Sequence, residues 1–133
     1  MKGLIAGLLL VLTLGTSAVS AQRTEETTRI QVNREKRLAK SRMNIRFVEL
    51  VEDSRCPTDT NCVWAGNAKI KVRVSKNGRS EVIALDTNGP KQYATTQDGY
   101  SVKLVGLTPT PRSNVRINRN GYIATLEIIK LTR

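Results

Sequence analysis

Residues 68 to 86 read AKIKVRVSKNGRSEVIALD, and this stretch decides the fold class. Ala68, Ile70, Val72 and Val74 alternate with Lys69, Lys71, Arg73 and Ser75, a period of two with one apolar and one basic face. Asn77-Gly78 separates this run from a second β-rich run, residues 80 to 86. Both central residues of a type I′ turn need positive φ, which Asn and Gly tolerate, so the stretch is expected to form a β-hairpin.

The same pattern recurs outward from it. Residues 44 to 51, NIRFVELV, are rich in β-formers and are expected to form a buried strand. Ile30 and Val32 alternate with polar neighbours as a shorter one. Residues 34 to 42, REKRLAKSR, contain helix formers but only one strong apolar position, Leu38, and are read as a turn and a weak strand. QDGY at 97 to 100 and RNGY at 119 to 122 repeat the turn dipeptide, each ahead of a strand, 101 to 107 and 122 to 131. TNGP at 87 to 90 is a further turn, and LTPTPR at 107 to 112 must be a loop, because neither proline can donate to a ladder. The expectation is an all-β domain of about seven short, mostly antiparallel strands, in an immunoglobulin-like sandwich or small barrel.

The first 21 residues stand apart. Lys2 precedes an apolar run at 4 to 14, and Val19-Ser20-Ala21 closes a small polar stretch, the pattern of a signal peptide cleaved after Ala21. The run is too short to span a bilayer, which needs about 20 apolar residues. No cysteine follows it closely, so a lipidated N-terminus is not expected. Residues 22 to 133 remain as a single domain, exported to the periplasm or secreted, with 22 to 28 expected to fray. Loss of Lys2 lowers the net charge of +11 to +10, which bears on solubility and on encounters with anions rather than on fold.

Chemistry is sparse. The chain has no histidine, which removes the commonest general base and most zinc sites. Glu49, Glu52, Asp53 and Asp59 cluster in sequence, but Arg46 and Arg55 sit among them, as in a salt-bridged surface group. No catalytic residue, metal or cofactor is expected, and a carboxylate-based hydrolase is the one enzymatic exception weighed. Calcium through Asp53, Asp59 and Asn61 lacks EF-hand spacing.

The remaining feature is DSRCPTDTNCVWAG, residues 53 to 66, which holds both cysteines and the only tryptophan. In an oxidising compartment two cysteines make one bridge, Cys56–Cys62, worth on the order of 2 kcal/mol. Neither a zinc set nor a C-x-x-C redox pair fits the five-residue gap. Asp53 and Ser54 are expected to bond nearby backbone N–H groups, Arg55 to pair with a carboxylate, and Pro57 to stiffen the loop. Trp64 is read as a core anchor packed over the bridge, in preference to a stacking platform for a sugar or base. Gly66 is expected to allow a bulge or close backbone approach. Lys69, Lys71 and Arg73, projecting from one strand face, are the candidate polyanion-binding row, weighed against a plain solvated face. Tyr93, Tyr100 and Tyr122 are its candidate aromatic companions, with nothing in the sequence placing them there.

Residues 52 to 72 resemble a signature of small uncharacterised bacterial exported proteins and lipoproteins. It is carried by Asp53, Ser54, Arg55, Cys56, Pro57, Cys62, Trp64, Ala65 and Gly66. The resemblance covers about a sixth of the chain and implies export, a bacterial source and an all-β fold, and it carries over no activity. This chain departs from the lipoprotein members in lacking an early cysteine. The function expected is a non-enzymatic binding or structural module of the envelope or secreted space, with an envelope protein or an anionic polymer as partner. The alternatives are a protease-inhibitor-like or ligand-capping protein using the Cys56–Cys62 loop, and an electrostatic polyanion binder.

Overall fold

A computed structural model describes residues 3, 10 to 18 and 23 to 132. Residues 10 to 18 form no helix or strand, and Leu10, Val11, Leu12 and Leu14 are exposed. The expected cleavage position after Ala21 lies outside the described residues.

Eight strands form two four-stranded antiparallel sheets. They are β1 (Glu25–Gln31), β2 (Glu35–Arg37), β3 (Asn44–Asp53), β4 (Ala68–Lys76), β5 (Arg79–Asp86), β6 (Tyr93–Thr95), β7 (Tyr100–Thr108) and β8 (Ile123–Lys130). One sheet has the order β1-β8-β7-β6 and the other β2-β3-β4-β5. The arrangement is the expected all-β sandwich, not closed into a barrel. Apart from the β1–β8 ladder, which joins the first strand to the last, every ladder joins strands consecutive in sequence, as in an up-and-down barrel opened along two seams. No ladder joins β1 to β2 or β5 to β6. Connections within each sheet are therefore meanders, unlike the Greek-key order of an immunoglobulin domain.

The period-two pattern explains the core. Phe47, Ile45, Ile70, Val72 and Leu85 from one sheet meet Val102, Leu104, Ala124, Leu126 and Ile128 from the other, all essentially inaccessible. Asn77 and Gly78 take positive φ, 52° and 76°, and close the β4–β5 hairpin as read. Residues 34 to 42 do form a turn and a weak strand, with Leu38 buried.

Three readings are corrected, and one strand is added. Glu25 to Thr28, expected to fray, form the first half of β1, because the β8 backbone from Leu126 to Ile129 pairs them. The 119 to 122 stretch is no hairpin turn: Arg119–Gly121 is a short 3-10 turn ending a long loop between the paired strands β7 and β8. Strand β6 was not expected, since its three residues at a sheet edge carry too little pattern. Trp64 is not in the core; it is 81 % exposed. The Cys56–Cys62 bridge lies within one loop beyond the strand ends rather than between the sheets, so no core surrounds it, and Phe47 and Met43 supply the bulk instead.

Since the strands run up and down, the connections sort to two ends. The turns at 38 to 43, 77 to 78 and 96 to 99 share one end with the two ends of the described domain, where Lys130 N–H donates to Thr24 O at 2.9 Å. The long loops 54 to 67, 87 to 92 and 109 to 122 share the other.

Candidate functional site

The loop end is built from the motif residues. The β3–β4 pairing continues past the strands: Ser54 N–H donates to Asn67 O at 2.7 Å and Cys56 N–H to Ala65 O at 3.1 Å. The bridge, with Cα atoms 5.9 Å apart, ties Cys56 itself to Cys62, three residues before Ala65. Pro57 O accepts from Thr60 N–H at 3.2 Å, which turns the tip. Gly66, at φ 71°, lets the returning strand pass against Ser54; a Cβ there would stand 2.0 Å from Ser54 O. Ser54 Oγ donates to Asn67 O at 2.8 Å, and Asn88 Nδ2 holds Gly66 O at 2.6 Å.

Beneath the loop lies a polar clamp. Arg55 donates from Nε and Nη2 to the two Asp53 oxygens, both at 2.8 Å, with both side chains nearly covered. The same guanidinium donates to Leu107 O at 2.7 Å and Pro109 O at 2.9 Å, tying the cysteine loop to the loop after β7. Tyr122 donates its hydroxyl to Asp53 Oδ2 at 2.9 Å. Burial pushes the Asp53 carboxyl up, but hydrogen bonds from Arg55 and Tyr122 and the Arg55 charge outweigh it and hold the carboxyl below its ordinary value. Burial, then the bond to Asp53, pushes the Tyr122 phenol up to about 12. Two further bonds link the loops: Thr58 N–H to Pro111 O and Ser113 N–H to Asp59 Oδ1, both 2.9 Å. The Ser113 bond holds the Asp59 carboxyl below its ordinary value.

Three of the four clustered carboxylates find partners. Asp53 faces Arg55, Asp59 takes a backbone N–H, and Glu49 Oε1 lies 3.4 Å from Lys71 Nζ. Among the described residues no group of three or more metal-ligating side chains converges. Tyr122 had no sequence signal, standing 69 residues from Asp53. Asn67 and Asn88 likewise act through positions that only the fold brings together.

What the clamp presents is apolar. Val63 and Trp64 directly follow the bridge and are 92 % and 81 % exposed. A cleft of about 240 Å³ lies beside them, lined by Arg55, Cys56, Ala65, Asn88, Gly106 and Pro111 among others.

The basic row lies elsewhere, on the outer face of β4. Across the ladders Lys69 faces Glu52 and Asp86, Lys71 faces Glu49, and Arg73 faces Arg46, itself opposite Glu35. Asp86 Oδ1 is covered and without a hydrogen-bond partner among the described residues, an unmet acceptor across from Lys69. None of the three tyrosines accompanies the row: Tyr100 and Tyr122 are buried, and Tyr93 is on β6 of the other sheet.

Compared with known protein families, with curated proteins and with solved structures, the chain matches none.

Proposed function

We propose that this chain is a non-enzymatic binding module, exported from the cell, that docks on a protein partner through Val63 and Trp64, which directly follow the bridge of the stapled loop. The observation that carries this reading is the exposure of an adjacent valine and tryptophan on a segment held at fixed geometry. Tryptophan is enriched among residues that dominate binding energy, and a segment ordered before binding loses little conformational freedom on docking. The surrounding clamp serves presentation rather than reaction: its one carboxylate–guanidinium pair is internally satisfied, and the sequence contains no histidine. Export is supported by the leader pattern and by a disulfide that persists in an oxidising compartment. No helix among the described residues is long and apolar enough to cross a membrane.

The test is affinity capture from periplasm and culture medium with the parent and with Trp64→Ser. A protein held by the parent should bind the variant on the order of 10-fold or more weakly. The variant's thermal unfolding should match the parent, because the side chain touches no core. Equal capture by both proteins would remove Trp64 from the interface and overturn the reading.

A further inference from the structure

We propose a second site, at the turn end of the β2–β5 sheet, where Arg37 and Arg42 bind the phosphate or sulfate groups of an anionic glycan. The site is independent of the Trp64 loop and lies at the opposite end of the strands.

The argument starts with where positive charge is left unmatched. Along β4 the cations Lys69 and Lys71 stand beside Glu52, Asp86 and Glu49. One step further towards the turns, Glu35 stands opposite Arg46. In the last row the carboxylates stop: Arg37, Asn44, Ser75 and Ser80 lie across the four strands. Beyond that row a cleft of about 610 Å³ is lined by Arg37, Arg42, Asn44, Ser75, Lys76 and the Asn77-Gly78 turn, none of them acidic. That volume lies within the range of small-ligand sites. Lys76 lines the cleft, but its ammonium is engaged: it donates to Ser41 O and sits 5.4 Å from the centroid of the Tyr100 ring. Arg37 and Arg42 form no ion pair with any described residue. Two free guanidiniums remain, and a guanidinium fork matches an oxyanion bidentately.

The cleft is also held in shape. The turn carrying Arg42 is fixed from β1, where Glu26 accepts from Ala39 N–H at 3.0 Å and from Ser41 N–H and Oγ at 3.2 Å. Glu26 is thereby occupied by backbone donors rather than by the neighbouring cations. Leu38 N–H closes the turn on Met43 O at 2.8 Å. Arg42 sits at φ 57°, a conformation unfavourable for any residue with a Cβ, and such strain persists only where surrounding contacts impose it. The lining points to a glycan rather than a nucleic acid. It contains no aromatic ring on which a base could stack, but it offers Asn44, Ser75 and Asn77 for saccharide hydroxyls.

The experiment measures binding of a heparin hexasaccharide by calorimetry across a salt series. The double variant Arg37→Gln with Arg42→Gly removes both guanidiniums, and glycine suits the positive φ at 42, so the fold is kept. Its affinity should fall about 10-fold or more, and its salt slope by about two units, one per lost contact. Lys69→Ser with Lys71→Ser, which lowers net charge equally, should keep affinity within about 3-fold and leave the slope within one unit. Trp64→Ser should change neither quantity. The proposal is overturned if the parent does not bind the hexasaccharide, if the arginine variant binds like the parent, or if the lysine variant loses as much. A single-stranded oligonucleotide binding more tightly, with the same arginine dependence, would also overturn it in favour of a nucleic-acid site.

Discussion

At the scale of single residues, Gly66 and Asp53 hold the loop end together for different reasons. Gly66 meets both a positive φ and a carbonyl oxygen where its Cβ would stand, whereas Gly78 at φ 76° has open space around it. Gly66→Ala should therefore cost about 2–4 kcal/mol in urea unfolding, and Gly78→Ala only about 1 kcal/mol. Asp53 carries the acid dependence of the clamp. A carboxyl held low in the fold stabilises above its unfolded pKa, near 3.9, and that contribution is lost as pH falls through the folded value. Tyr122 acts on the other side: its contribution is present below about 10 and is lost as pH rises towards 12. Acid unfolding of Asp53→Asn should be less steep below about pH 4 than that of the parent, and Tyr122→Phe should flatten the alkaline limb. The motif residues were legible because their side chains bond locally. Tyr122 was not, because only the folded β3–β8 geometry brings it to Asp53. Trp64 reads as core because a chain with one phenylalanine needs bulk, but Phe47 and Met43 supply that bulk and leave Trp64 exposed.

At the scale of elements, strong period-two runs with an Asn-Gly turn were readable, and β4–β5 is the case in point. The same dipeptide at 120 to 121 gave a 3-10 turn, because Asn118 accepts Asn120 N–H at 3.0 Å and the strand partner of β8 lies a full loop away. Turn chemistry fixes local conformation, not which strands it joins. Strand β6 escaped notice because an edge strand of three residues owes its existence to β7. The cysteine loop also divides into two parts. Its base is held by Ser54–Asn67 and Cys56–Ala65 bonds that do not require the bridge, and its tip depends on the bridge and the Pro57 turn. Cys56→Ser with Cys62→Ser should retain the β-sheet circular dichroism and cost about 2 kcal/mol. Amide exchange should then speed at Thr60 while Ser54 stays protected; equal loss at both would mean that base and tip are one unit.

At the scale of the whole molecule, the sheet order makes a ring in which the end of β8 lies beside the start of β1. Joining residues 131 and 24 by a short Gly-Ser linker and opening the chain between Asn77 and Gly78 should give a permuted protein with the same sheets. Its stability should fall by about 1–2 kcal/mol, since a flexible linker closes a loop less favourably than a two-residue turn; failure to fold would mean that the β4–β5 turn is needed to set the register. The ring was only partly legible, because the pattern identifies the strands but not the seams along which they part. The position of the domain ends also dictates what a tether does. A molecule fixed at Arg23 to a bead, a cell surface or a fused domain stands on its turns. Its cysteine loop then points outward, roughly one strand length or about 30 Å from the attachment. The Arg37–Arg42 cleft lies at the tethered end, so crowding at the anchor shields the cleft and leaves the tryptophan free. Attachment through the loop end reverses that choice.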